Sequence, residues 1–147
     1  MKILMVCLGN ICRSPLAQGI MEKHAPEQWH IDSAGTSGWH ASERPDTRSI
    51  LIAKERDISI EQQRSRKVTT EDFETFDIIF AMDSSNFSNL IQLAPNESVK
   101  NKVRLILNES YPGENRQVPD PYTGGQEGFS HVYELLEEAI QSFLKTY

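Results

Sequence analysis

The sequence predicts an α/β domain built on a four-stranded parallel sheet. Three observations carry this. Four short apolar runs alternate with longer helix-like stretches, the pattern of βαβ units. The first run, residues 2–7 (KILMVC), is apolar at almost every position, as a strand buried on both faces is. The chain has 147 residues, 38% hydrophobic and 24% charged, which suits one packed domain, residues 1–147, and no repeat, low-complexity tract or linker divides it.

Each element has its own signal. After strand one, a helix is expected over residues 15–24, where Pro15 suits a first turn and Leu16, Ile20 and Met21 recur at helical spacing. Residues 29–33 (WHIDS) read as strand two, ended by Gly35 and a turn-rich loop to Pro45. Residues 45–58 read as a helix. Thr69 and Asp72 have the Ser/Thr-x-x-Asp/Glu spacing of a capping box, so a helix is expected in 69–76. Residues 77–82 (DIIFAM) are strand three, 84–93 a helix and 102–107 (KVRLIL) strand four. A loop rich in Gly and Pro spans 111–125. A C-terminal amphipathic helix follows over 128–147, with Val132, Leu135, Leu136, Ile140, Phe143 and Leu144 on one side. In such folds ligands bind beyond the carboxyl ends of the strands, so the loop after strand one and the 111–125 loop are the places to search.

Composition narrows the functions. A formal charge of −6, from 15 Lys+Arg against 21 Asp+Glu, gives no reason to expect nucleic-acid or anionic-membrane binding. An anion site would have to be made locally. The two cysteines, Cys7 and Cys12, are too few for a disulfide scaffold and are not spaced for zinc. His24, His30, His40 and His131 are scattered and read as surface or core residues rather than metal ligands. The apolar run from Ile3 to Cys7 is shorter than the ~7–15 residues of a secretion-signal core. No stretch reaches the ~18 apolar residues of a membrane helix, so a cytoplasmic protein with reduced thiols is the expectation.

The densest chemistry lies in VCLGNICRSP, residues 6–15. Between a strand ending at Cys7 and a helix starting near Ser14 or Pro15, several backbone N–H groups have no regular partner. Turned inward, they form an anion-binding nest beside the positive end of the helix dipole. Gly9 allows tight backbone conformations, and Arg13 adds a planar fork of donors suited to phosphate oxygens. The loop lacks the Gly-Lys-Ser/Thr ending of a nucleotide-binding loop. It has instead a Cys at its base, and helix N-termini and Arg favour the nucleophilic thiolate. Ser14 is placed to donate a hydrogen bond to that sulfur. Taken alone, Cys7 reads rather as a small buried residue ending a strand. Arg13 six residues on, with Ser14 beside it, makes a nucleophile the better reading.

VCLGNICRSP resembles the signature of the low-molecular-weight protein tyrosine phosphatases, and DSAGTSGWH (32–40), FDIIFAMDSSN (76–86) and DPY (120–122) follow in that family's order. The resemblance implies a four-stranded parallel sheet flanked by helices on both faces, and a phosphatase that needs no metal or cofactor. It implies Cys7 as nucleophile, Arg13 with the loop from Leu8 through Gly9, Asn10, Ile11 and Cys12 as the phosphate cradle, and Asp120 as general acid and then base. Trp39 and Tyr122 match positions that wall the substrate entrance. Asn10 matches the residue that fixes the loop, with Ser33 as its partner, and Asp83 matches a position near the site. Cys12 matches a cysteine that pairs reversibly with the nucleophile and shields it from over-oxidation. The expected substrates are tyrosine-phosphorylated proteins, the opposing activity a tyrosine kinase, and the expected state a monomer.

The chain also departs from that pattern. Thr123 stands where a second Tyr is common. Gln18 and Gln63 stand where a Glu and a His are common, so a neutral hydrogen-bonded Gln–Gln pair is expected. Arsenate reductases of this type need cysteines downstream of Cys12, and none is present. Phosphoarginine specialists have Thr where Ile11 stands. Three other readings stay open on the sequence: a phosphatase for small aryl or acyl phosphates, a non-catalytic phosphotyrosine-binding module, and a thiol redox protein using Cys7 and Cys12.

Overall fold

The computed structural model describes residues 1–147. Four parallel strands lie in the order β2-β1-β3-β4: β1 Lys2–Cys7, β2 His30–Gly35, β3 Ile78–Ala81 and β4 Val103–Leu105. Alternation along β1 explains its continuous apolar sequence. Ile3, Met5 and Cys7 face one core with the helices α1 (Arg13–His24), α2 (Thr47–Glu55) and α6 (Gln126–Leu144). Leu4 and Val6 face a second core with α3 (Asp72–Thr75), α4 (Ser84–Leu93) and α5 (Glu97–Lys100), through Phe73, Leu90 and Val99. Helices thus cover both faces. No helix is long and apolar enough to cross a membrane.

Several boundaries differ from expectation, each for a physical reason. Helix α1 starts at Arg13, before Pro15, so the arginine expected in the phosphate cradle sits in the first helical turn. Helix α2 is shorter than 45–58: Asp46 caps its start by accepting the Arg48 N–H, and Asp57 leaves it in a left-handed conformation (φ 61°). The capping signal at 69–76 yields one turn, α3; the Asp72 carboxylate does reach back to the Thr69 N–H at 2.8 Å, but it also holds Arg66. Strand β4 ends at Leu105 rather than 107. Ile106 and Leu107 both enter the α1–α6 core, which a strand cannot do with consecutive residues, so the chain winds into a 3-10 turn over Ile106–Glu109. Helix α6 begins at Gln126 and ends at Leu144, and Phe129, Tyr133 and Ala139 are buried where Leu135 and Leu144 are only partly so. Phe143 packs edge-on against Phe80 of β3 at 5.3 Å between centroids, worth about 0.5–1.5 kcal/mol beyond simple burial.

Strand order reverses between β1 and β3, and crevices in such sheets open at that point, outside the strands' carboxyl ends. Cys7 ends β1 there, and Asp83 follows β3 as the N-cap of α4.

Candidate active site

The loop from Leu8 to Cys12 is held by its carbonyls. Cys7 O accepts from Thr36 N–H, Leu8 O from Ser37 N–H, and Ile11 O from Asp46 N–H, at 2.8–3.0 Å. The hydroxyls of Ser65 and Ser49 donate to Gly9 O and Cys12 O. The N–H groups of Leu8, Gly9, Ile11 and Cys12 have no acceptor within the protein. A loop with its carbonyls tied outward and its amides unclaimed is an anion nest.

Asn10 sets the loop's shape. It is buried and left-handed (φ 58°), a conformation Asn tolerates better than most residues. Its Oδ1 accepts the Arg66 N–H at 3.1 Å, and its Nδ2 donates to Ser14 Oγ at 2.8 Å and Ser33 Oγ at 3.0 Å. Those bonds direct the hydroxyl protons. Ser33 donates onward to Gln18 Oε1 at 2.7 Å, and Ser14 Oγ lies 3.1 Å from Cys7 Sγ, so that its proton serves the sulfur whenever the sulfur is a thiolate. The Asn10 N–H also donates to that sulfur at 3.3 Å. Ser33 is therefore the partner of Asn10, as expected. The expected Gln18–Gln63 pair does not form: Gln18 is engaged by Ser33, and Gln63 donates to Pro15 O. Ser33 occupies Gln18 Oε1, and the Gln63 amide turns instead to the Pro15 carbonyl in the first turn of α1.

Arg13 is buried, and Asp83 and Val118 fix it: its Nη1 donates to Asp83 Oδ2 at 2.6 Å and to Val118 O at 3.0 Å. Burial works against its charge, but Cys7 and Asp83 outweigh that and hold its proton more tightly than usual. The other edge of the fork is left for a ligand, with Nη2 4.0 Å from Asp120 Oδ2. Asp120 itself is half-exposed, and its Oδ1 accepts the Tyr122 N–H at 3.1 Å. Val118 N–H donates to Met82 O, pinning the base of the Asp120 loop to the end of β3. Burial, then Asp46, pushes the Cys12 thiol well above its ordinary value; Cys7 and Cys12 are both free thiols.

These groups converge on one cavity of about 170 Å³. Cys7, Cys12 and Arg13 line it with Leu8, Gly9 and Ile11, and Trp39, His40, Asp120 and Tyr122 join them. Trp39 is 76% exposed and Tyr122 49%, so both rings present apolar faces at the cavity's mouth. Of the residues the sequence singled out for nucleophile, cradle, acid and aromatic wall, all but Asn10 line this cavity; Asn10 is buried behind the loop, which it braces. His40, which the sequence leaves as a surface or core residue, lines the cavity against Gly9 and 6.4 Å from the Tyr122 ring; its neighbour Trp39 is the signal that points there. No group of three or more His, Cys, Asp or Glu side chains could hold a metal ion.

The model of the family described as "Low molecular weight phosphotyrosine protein phosphatase" matches residues 2–147. The chain belongs to this family. A Schizosaccharomyces pombe low molecular weight phosphotyrosine protein phosphatase is 43% identical, covering 99% of this chain and 96% of its own. The protein tyrosine phosphatase of Entamoeba histolytica, crystallised with Hepes in its active site, superposes with a TM-score of 0.92 at 39% identity, over 99% and 96% of the two chains. A Drosophila arginine phosphatase superposes with a TM-score of 0.92 at 33% identity, over 100% and 98%. Membership in the low-molecular-weight phosphatases makes this chain an enzyme of the phosphatase class and removes the non-catalytic binding module from consideration.

Proposed function

We propose that the enzyme hydrolyses phosphotyrosine in proteins through a phosphocysteine at Cys7. The observation that carries this is the meeting, in one small cavity, of a hydrogen-bonded sulfur, a half-free guanidinium and a carboxylate between exposed aromatic rings. The free edge of Arg13 and the unclaimed amides of the loop hold the equatorial phosphate oxygens and stabilise the charge that spreads over them in the transition state. Cys7 Sγ attacks phosphorus in line with the phenolic oxygen. The S–P bond forms, the P–O bond breaks, and Asp120 gives the departing oxygen its proton. Water then attacks phosphorus, Asp120 takes a proton from it, and the S–P bond breaks. The Ser14 hydroxyl, aimed at the sulfur, stabilises the sulfur's negative charge as it leaves.

Trp39 and Tyr122 offer apolar faces to the phenyl ring of the substrate. Ile11 supports an aryl rather than a guanidino substrate, because the phosphoarginine enzymes resembled above carry Thr there. Tyrosine-phosphorylated proteins in the cytoplasm, where two free thiols stay reduced, fit this chemistry. The test is turnover of p-nitrophenyl phosphate by the wild type, Cys7→Ser and Asp120→Ala. Cys7→Ser should abolish turnover and still bind phosphate. Asp120→Ala should cost roughly 10²–10⁴-fold, less with leaving groups that need no proton. Unchanged turnover by Cys7→Ser would overturn the mechanism.

A further inference from the structure

Asp120 sits on an exposed loop, and little on its own stretch of chain fixes where its carboxyl lies. Its one hydrogen bond, from the Tyr122 N–H, is internal to the loop, and Arg13 Nη2 stands 4.0 Å away. Val118 pins the base of the loop before Asp120, and the far side, after Asp120, is held by a residue more than seventy positions away. Arg48, in the first turn of α2, donates Nη2 to Tyr122 O at 2.9 Å and Nη1 to Gly124 O at 2.8 Å. The same guanidinium grips Asp46 with Nε to Oδ1 and Nη2 to Oδ2, both at 3.0 Å. Asp46 in turn donates its backbone N–H to Ile11 O of the phosphate loop. The Arg48 guanidinium carbon lies 4.5 Å from the centre of the buried Phe129 ring, so the fork is stacked as well as bonded. Four donor contacts in one plane make this far more than a loose surface ion pair.

We infer that Arg48 is a positioning residue for the general acid. The continuous path Ile11–Asp46–Arg48–Tyr122 ties the acid-bearing loop to the phosphate loop, and so sets the reach of the Asp120 carboxyl over the oxygen leaving Cys7's substrate. This rests on the proposed role of Asp120. Arg48 touches no reacting atom. Its removal releases the loop, and misplacement by about 1 Å costs up to ~100-fold when a group must be held in register.

The test compares kcat/KM for phenyl phosphate, whose leaving group needs a proton, with that for 2,4-dinitrophenyl phosphate, whose leaving group does not. Arg48→Gln should lose about 10–100-fold on the first and under about 3-fold on the second. In an Asp120→Ala background Arg48→Gln should change neither further. Arg48→Lys keeps a charge beside Asp46 but cannot span both carbonyls; it should show a smaller loss in the same direction, and it serves if Arg48→Gln does not fold. Equal losses on both substrates, no loss on either, or additivity with Asp120→Ala would overturn the inference. If Asp120→Ala itself failed to discriminate the two substrates, the assignment of the acid would fall first, and this inference with it.

Discussion

Replacing Asn10 by Ala should be among the most costly single changes in this protein, and its size can be worked from the contacts. Ala has no side chain to bond locally, so the left-handed backbone at φ 58° costs roughly 1–2 kcal/mol. Ser14 and Ser33 keep other partners, Cys7 and Gln18, when the Asn10 amide is gone. The Arg66 N–H does not, and leaving this partly buried donor unsatisfied costs up to about 1–3 kcal/mol. The sum is about 2–5 kcal/mol out of a total stability of about 5–15 kcal/mol. For a chain of this size that lowers Tm by roughly 5–20 °C. Asn10→Gly restores the backbone freedom but not the bonds, so it should recover about 1 kcal/mol of the loss. Both variants should also lose turnover, because nothing then directs the Ser14 proton to the Cys7 sulfur. Urea denaturation followed by tryptophan fluorescence, with p-nitrophenyl phosphate kinetics on the same samples, measures both effects. An Asn10→Ala protein within about 0.5 kcal/mol of wild type, the range of an ordinary surface change, would refute the account of this loop.

Other expected outcomes follow from the same geometry. Asp83→Ala leaves the Arg13 guanidinium buried without its counter-charge, a loss of about 3 kcal/mol or more by denaturant titration, together with weaker inhibition by phosphate. Gly35→Ala places a methyl 2.7 Å from Leu8 O and 3.1 Å from Ser37 O; backbone cannot swing aside as a side chain would, so stability should fall by about 1–3 kcal/mol and turnover with it. Asp46 is held below the ordinary carboxylate range, chiefly by its hydrogen bond from Arg48. Its stabilising contribution is therefore present above the unfolded value of about 3.9 and is lost as pH falls through the lower folded value. Asp46→Asn should be about 1–2 kcal/mol less stable than wild type at pH 7. In acid melts that gap should close below the usual carboxylate range, and a gap that widens there would contradict the pairing.

Much of the chemistry could be read in the sequence because it is local. Cys7, Asn10, Arg13 and Ser14 lie within eight residues, and a strand running into a helix through a short loop leaves little choice but to gather them. The apolar run of β1 likewise announced a doubly covered strand, and the two cores now seen on either side of it are its consequence. Element ends were less legible. Where β4 stops depends on which core Ile106 and Leu107 enter, and a run of apolar letters does not say.

The amino-acid order alone thus determined the alternating architecture and the gathering of Cys7, Arg13 and Ser14 around one short loop, since each depends on near neighbours and on periodicity. Only the folded chain decided how the rest meets them. Asp83 reaches Arg13 across the point where strand order reverses, Arg66 secures Asn10 from 56 residues away, His40 closes on Gly9, and Arg48 binds the carbonyls of residues 122 and 124. These are contacts between separate elements, created when helices settle on a sheet and bring distant loops to one edge. No spacing along the chain encodes them, because their partners become neighbours only through packing.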